Sequence, residues 1–305
     1  MEQPAHPLAS VVVITLNGSD VIRNCLDSLL PSDYPNFEVL LVNNGSTDGV
    51  EQIVRTEYPS VRIVSLGKNL GYAGGNNEGI KASRGEIVVL LNDDTVLQPT
   101  ALGEVVRPFV ENPQVGIVGC KILYPDGKTI QHAGARILSN GASEHIGNHE
   151  EDRGQYDEPR DVDYVIGCMM GIRRAVFHDI GLFDDRYFPI YFDEQEFAVR
   201  ARRKGWRVVY NPKAVLCHIE AKTQAMNSER YLFRYHRSRL RYVLKNFPAR
   251  ALWGFLRGEW HNIAHTPDAV NRRVHLKAWG YTLPRLPMIL IDRKWRFLKL
   301  PASHT

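Results

Sequence analysis

Four short apolar runs stand early in the chain, each closed by a small polar loop: VVVIT (11–15), FEVLLV (37–42), VRIVSL (61–66) and IVVLL (87–91). Runs of this length and composition read as strands buried on both faces. Helical stretches lie between them. Behind the Asn17-Gly18-Ser19 turn, Val21, Ile22, Cys25, Leu26, Leu29 and Leu30 share one helical face. A short helix carries Ile53 and Val54, and NLGYAGGNNEGIKAS reads as a Gly-rich loop entering a third helix. This alternation commits the chain to an α/β fold with a doubly wound, mostly parallel sheet.

In such sheets ligands sit beyond the carboxyl ends of the strands. The loops there are Thr15-Leu16-Asn17, Asn43-Asn44-Gly45, Lys68-Asn69 and Asn92-Asp93-Asp94. Any one of them is ordinary turn chemistry. Four at one edge point to a site. The last is the most demanding, because a buried strand runs into two adjacent acids. Like charges so close call for a positive neighbour: a basic side chain, a helix N-terminus or a metal ion. In the plainer reading Asp93 and Asp94 cap a helix starting near Pro99.

Further along, 115–122 and 162–172 look like strands, and 139–160 reads as a polar, mobile excursion. Glu196 to Lys204 reads as a helix with Phe197, Ala198 and Ala201 inward, WRVVYNP as strand and turn, and ERYLFRYHRSRLRYVLKNF as helix. The 305 residues, 44% hydrophobic, suffice for one large α/β domain or two smaller ones. The start, MEQPAHPLAS, has no secretion-signal pattern. No apolar run is long enough to span a bilayer. Cys25, Cys120, Cys168 and Cys217 are scattered, as expected of free thiols in a reducing cytoplasm. Charge is split. Of 38 Lys+Arg and 34 acids, 17 and 4 lie beyond residue 220, so that stretch nets +13 and the rest −9. An acidic body with a basic tail implies an anionic contact for the tail.

Several function classes drop out. There is no G-x-x-x-x-G-K-[ST], no G-x-G-x-x-G after the first strand and no G-x-S-x-G elbow. What remains is a nucleotide-sized crevice with paired acids at its rim.

Taken in order, VVVITLNG, LLVNNGSTDG, NLGYAGGNNEGI, LLNDDT, GCMMGIRRAVFHDIGLFDDRYF, YFDEQEFAVRARRKGW and the stretch from Pro212 to His218 resemble family 2 glycosyltransferases. The resemblance spans about residues 9–245 and is nearest to rhamnosyltransferase-like bacterial members. It implies a GT-A fold with a helical, basic C-terminal extension. On this reading 1–98 is the nucleotide-sugar half, 99–220 the acceptor and catalytic half, and 221–305 the extension.

The resemblance also implies roles. Asp94 would bind Mg²⁺ or Mn²⁺ bridging a sugar-nucleotide diphosphate, with His218 completing the coordination. Asn92 and Asp93 would face the ribose or sugar. Thr15, Asn17 and Asn43 would receive the base. Asn43 stands where the family usually has an acid, but its amide offers both donor and acceptor to an imide. Asp48 either contacts base or ribose or caps the next helix. Asn69, Gly74 and Asn76 would meet the nucleotide. Glu194 falls where the catalytic base stands, with Asp193 the second candidate and Arg200 bracing these acids. His132 would lie near the donor. Gly167, Met169 and Met170 either meet the acceptor or pack the core.

The expected activity is inverting, metal-dependent transfer of one sugar to a saccharide acceptor, expected to be lipid-linked. dTDP-rhamnose is the first donor; UDP-hexose or UDP-N-acetylhexosamine is the alternative. A sugar nucleotidylyltransferase would need a basic Gly-rich loop after the first strand, which TLNGSDVIRN lacks. An inactive nucleotide-binding scaffold is the non-enzyme alternative. A processive synthase would need spanning helices and Q-x-x-R-W. The C-terminal stretch interleaves Arg230, Arg234, Arg237, Arg239, Arg241 and Lys245 with aromatics, followed by Trp253, Trp260, Trp279, Trp295 and KWRFLK. It fits a cytoplasmic membrane surface as a peripheral contact, or else a solvated face or oligomer contact. No nucleic-acid motif accompanies it.

Overall fold

The computed structural model describes residues 6–219 and 228–294. Trp295 and most of KWRFLK lie outside the described residues. The first half is β1 (Ala9–Thr15), α1 (Ile22–Leu29), β2 (Phe37–Asn43), α2 (Val50–Glu57), β3 (Arg62–Ser65), α3 (Gly71–Ala82) and β4 (Ile87–Asn92). Then come β5 (Thr95–Leu97), α4 (Ala101–Glu111), β6 (Val115–Leu123), β7 (Ile130–His132), β8 (Ala135–Ile137), β9 (Ser143–His145) and β10 (Arg160–Asp161). The chain continues through β11 (Met169–Arg173), α5 (Arg174–Ile180), α6 (Asp193–Arg203) and β12 (Arg207–His218). It closes with α7 (Glu229–Asn246), α8 (Ala249–His265), α9 (Ala269–Thr282) and α10 (Leu286–Lys294).

The main sheet runs β10-β12-β6-β11-β4-β1-β2-β3, with β5 on β12 and β7 on β6. β3, β2, β1 and β4 are parallel to one another, as the alternation requires. β11 is antiparallel to both neighbours. Side chains of β1 alternate between two cores: Val11 and Val13 face one, Val12 and Ile14 the other. All four cysteines are free thiols.

Some expected elements shift. Helix α3 begins at Gly71, so most of the expected Gly-rich loop is helical. Its glycines serve packing: a Cβ on Gly79 would collide with Val12 and Val42 on the sheet. In 162–172 only Met169 onward is strand. The excursion 139–160 is tied down by β9 and by Lys121, which reaches Asp152 at 2.8 Å and Asp157 at 2.5 Å.

The basic stretch in α7, expected to meet a membrane surface, solvent or another subunit, buries Arg239, Arg241 and Lys245 inside the molecule. Arg241 and Lys245 each reach Asp184, at 2.7 and 2.8 Å, and Lys245 also reaches Glu196 at 2.8 Å. Arg241 and Arg186 hold Asp292 of α10. Arg239 pairs with Glu259 of α8. Burial opposes the charge on Asp184, but the adjacent Arg241 and Lys245 hold its carboxyl far below the usual carboxylate range. These buried charges are costly unless paired. Their pairing fastens the C-terminal helices to α6, two residues from Glu194.

Candidate active site

Sheet register alone assembles the crevice edge. Thr15 pairs with Asn43 and Asn43 with Ser65, so β1, β2 and β3 end level, and Asn92 pairs with Ile14, so β4 ends one position earlier. The first two loops then lock together. The Asn17 N–H donates to Ser46 Oγ at 2.9 Å, and Asn17 Oδ1 accepts from Thr47 N at 2.8 Å. Asp48 accepts from Ser19 N at 2.8 Å and from Val50 N at 3.2 Å, so it both braces the first loop and caps α2. Asn43 accepts from Ser46 N and donates to Glu51, both at 2.8 Å, so both ends of its amide are engaged inside the loop. Glu51, bonded by Asn43 and Ser65, is held below its ordinary pKa. Sequence reasoning missed this acid beside Asn43.

Asn69 accepts from Gly71 N at 2.7 Å and fixes the entry to α3. Gly74 and Asn76 lie on the helix, not in a loop. Both are buried within α3; Asn76 is 0% exposed and donates to Tyr72 O at 3.1 Å. The helix starts before them, and Asn76 Oδ1 is buried without a hydrogen-bond partner.

The two acids after β4 point apart. Asp93 Oδ2 accepts from Thr15 Oγ1 at 2.5 Å, and a Cβ on Gly18 would collide with that carboxylate, so only glycine fits there. Asp94 turns toward β12. Because β5 pairs with β12, Thr95 faces His218, and Asp94 O accepts from Ile219 N at 2.8 Å. With β5 following directly and α4 starting only at Ala101, the helix-cap reading of the two acids fails.

Asp94 Oδ1 is buried and receives no hydrogen bond, yet lies 3.1 Å from His218 Nε2. The other ring nitrogen, Nδ1, lies 2.9 Å from Gln131 Oε1. That oxygen can only accept, so Nδ1 carries the proton, and in the neutral ring the Nε2 lone pair faces Asp94. A carboxylate oxygen and a lone pair so placed need a cation between them, from a proton or a metal. Two cis ligands of an octahedral ion at about 2.1 Å lie about 3 Å apart, which matches this pair. No cluster of three or more His, Cys, Asp or Glu suited to a metal occurs among the described residues. Two protein ligands suit Mg²⁺ or Mn²⁺, which take up substrate phosphates and water as well. Gln131 is thus the partner that sets the His218 tautomer, and no sequence signal pointed to it.

His132, its neighbour on β7, does not join this group. It is 1% exposed, both its ring nitrogens lack partners, and its ring stands edge-on to His145 at 5.1 Å. Burial, then His145, holds its pKa well below the ordinary histidine value.

The second acidic group approaches from α6. Asn92 N donates to Cys168 O at 3.0 Å, which lays the chain before β11 along the end of β4. Gly167 N donates to Glu194 Oε1 at 3.2 Å, and Tyr72 Oη donates to Gly167 O at 3.0 Å. A Cβ on Gly167 would strike the Tyr72 hydroxyl. Glu194 is therefore half-buried at the strand end that also carries Asp94. Met169 and Met170 are fully buried, one in each core, so the packing reading holds for them. Arg200 braces Glu196 at 2.8 Å and donates to Ile180 O and Leu182 O, steadying α6 from behind.

Asp193 cannot meet an acceptor: it is 0% exposed, because α6 starts at Asp193 and turns this side chain inward. Neither of its oxygens has a hydrogen-bond partner. Burial first, then the charge of Glu194, pushes its pKa well above the usual value. The folded protein therefore keeps a proton that the unfolded chain releases above about pH 4. Stability falls as pH rises through that window, since the unfolded state binds fewer protons. Asp193→Asn should lose this fall: its melting temperature should exceed wild type at pH 7, with the gap narrowing toward about pH 4. Parallel melting-versus-pH curves would disprove it.

The family model described as "Glycosyl transferase family 2" matches residues 10–181. The chain is 33% identical over 228 residues to "O-antigen biosynthesis protein RfbC" of Myxococcus xanthus, covering 72% of this chain and 18% of that protein. It is 28% identical over 252 residues to "N-acetylglucosaminyl-diphospho-decaprenol L-rhamnosyltransferase" of Mycobacterium tuberculosis, covering 75% and 81%. The chain spans only 25% and 18% of the length of two curated relatives it matches. Among solved structures, the mannosyltransferase PcManGT of Pyrobaculum calidifontis, in complex with GDP-Man and Mn²⁺, aligns with a TM-score of 0.58 at 19% identity, covering 94% of this chain and 79% of that one. The sheet and its flanking helices are those of the GT-A fold, and the chain belongs to glycosyl transferase family 2.

Proposed function

We propose that the protein is an inverting, metal-dependent glycosyltransferase that moves one sugar from a nucleotide donor to a saccharide acceptor carried on a lipid at the cytoplasmic face of a membrane. The observation that carries this is the orphaned Asp94 Oδ1 beside His218 Nε2, at the strand end that Glu194 also reaches. Asp94 and His218 would hold Mg²⁺ or Mn²⁺. A bound divalent ion neutralises charge developing on the leaving diphosphate. Thr15 orients Asp93 toward the ribose or sugar. The loops of Asn17, Asn43, Asp48 and Asn69 frame the base. Glu194 accepts the proton of the acceptor hydroxyl as the new glycosidic C–O bond forms and the anomeric bond to phosphate breaks. Direct displacement by one base, with no covalent nucleophile, inverts the anomeric centre.

The donor favoured is dTDP-rhamnose, in keeping with the name of the Mycobacterium relative. UDP-hexose or UDP-N-acetylhexosamine is the alternative. Residues 1–98 would bind the nucleotide and 99–220 the acceptor. Melting curves with dTDP-, UDP- and GDP-sugars and Mg²⁺ or Mn²⁺ test the reading. A donor at about 100 times its Kd adds about 2.7 kcal/mol, so one base should stand out. If no sugar nucleotide raises the melting temperature with either metal, the reading fails. Binding without release of nucleoside diphosphate would leave an inactive scaffold.

A further inference from the structure

The C-terminal helices cover the catalytic body with one side and leave the other unpartnered. In α8, Phe255, Glu259 and Ile263 face inward. Trp253, Arg257 and Trp260 recur at spacings of four and three on the opposite face. Trp253 is 70% exposed and Trp260 50%. Indole rings so exposed forgo the burial that aromatic side chains ordinarily gain. From α9 into α10, Leu276, Leu283 and Leu290 recur every seven residues, all exposed, with Ile291 beside them at 61%. The Trp260 ring stacks on Trp279 of α9 at 5.8 Å, so the two apolar stripes adjoin.

The charge around these stripes is predominantly positive. Residues 249–293 hold seven Lys/Arg and three acids. Two of those acids, Glu259 and Asp292, are buried in ion pairs. Asp268 caps α9. Arg250 and Arg257 are exposed and have no ion-pair partner among the described residues. No helix among the described residues is long and apolar enough to cross a membrane.

We propose that the outward faces of α8, α9 and α10 form one docking surface for an anionic lipid bilayer. Exposed tryptophans and leucines enter the headgroup boundary while arginines meet lipid phosphates, the pattern of a helix lying in the interface plane. Charge complementarity selects this occupant: a second copy of the same face would set like charges against each other. The surface would hold the crevice near a lipid-borne acceptor. It rests on that reading of the acceptor only for its purpose, since lipid binding can be measured without any sugar.

The full chain is mixed with sucrose-loaded vesicles of phosphatidylcholine alone or with added phosphatidylglycerol, and bound protein is sedimented. Strong partition onto the anionic vesicles, weakened by salt, is expected. Arg250→Ser and Arg257→Ser should each weaken it about fivefold. Trp253→Ser should also weaken it, with unchanged melting and unchanged transfer to a short soluble acceptor. Bromine-labelled lipid should quench wild-type fluorescence more than that of Trp253→Phe. Equal partition onto neutral and anionic vesicles, or equal quenching of the two proteins, overturns the proposal. So does a dimer in light scattering that Trp253→Ser splits, since a second copy would then cover the face. Transfer without vesicle binding would leave the enzyme reading standing and remove only this one.

Discussion

Glu194→Gln is expected to keep donor binding and to lose transfer by about 10²–10⁴-fold, the range that a positioned general base contributes. The amide fills the same space and can still accept from Gly167 N, which now bonds Glu194 Oε1 at 3.2 Å. What it cannot do is take up the acceptor's proton. The loss should appear equally in kcat and kcat/KM, as for an interaction made only in the transition state. Donor-dependent shifts of the melting temperature should be unaltered. The fold should tolerate the change well, because Asp193 loses the neighbouring charge that raises its pKa. The neighbour also argues for the assignment. Of the two adjacent acids, one is sealed away with its pKa raised by burial, and the other is half-buried at the strand end. Only the second can exchange protons with a substrate. A Gln variant that turns over at the wild-type rate places the base elsewhere.

The positions of the candidate site that are legible in the sequence are those fixed by strand periodicity. Thr15, Asn43, Asn92 and Asp94 follow apolar runs, and parallel register brings the ends of those runs within one position of each other. The burial of Phe197, Ala198 and Ala201 likewise follows from helical spacing. Helix starts were less legible. Reading α6 from Glu196 instead of Asp193 hid the inward turn of Asp193, and reading NLGYAGGNNEGIKAS as a loop entering a helix hid that Gly74 and Asn76 lie buried within α3. Glycines that let a helix lie close on a sheet look, in one dimension, like glycines that let a phosphate approach. Gln131 could not be found at all, since its role depends on β7 pairing with β6 and on β12 returning past β5. The buried pairing of Arg241 and Lys245 was equally hidden. A basic helix facing acids from distant segments has the same composition as one facing lipid.

Asp94→Ala should abolish Mn²⁺-dependent donor stabilisation and lower transfer by about 10³-fold or more, since a metal at a leaving phosphate supplies several kcal/mol of charge stabilisation. The unfolding temperature without ligand should change little. Asp94 Oδ1 receives no hydrogen bond, so truncation strands no donor. His218 keeps Gln131 through Nδ1. Gln131→Leu supplies a graded companion. It removes the acceptor that sets the ring tautomer but leaves both ligands in place, and loss of such an outer partner typically costs about 10–100-fold in metal affinity. Manganese titration followed by electron paramagnetic resonance reads this without any turnover. The order of effects is the discriminating result. If Asp94→Ala binds manganese and donor as tightly as wild type, the 3.1 Å approach of Asp94 to His218 is an ion pair that holds β5 to β12, and the diphosphate must be met by other residues of the crevice. If Gln131→Leu weakens manganese while Asp94→Ala abolishes it, the cation sits where β5, directly after the fourth parallel strand, pairs with the returning strand β12. The family's chemistry would then follow from that one crossing of strands.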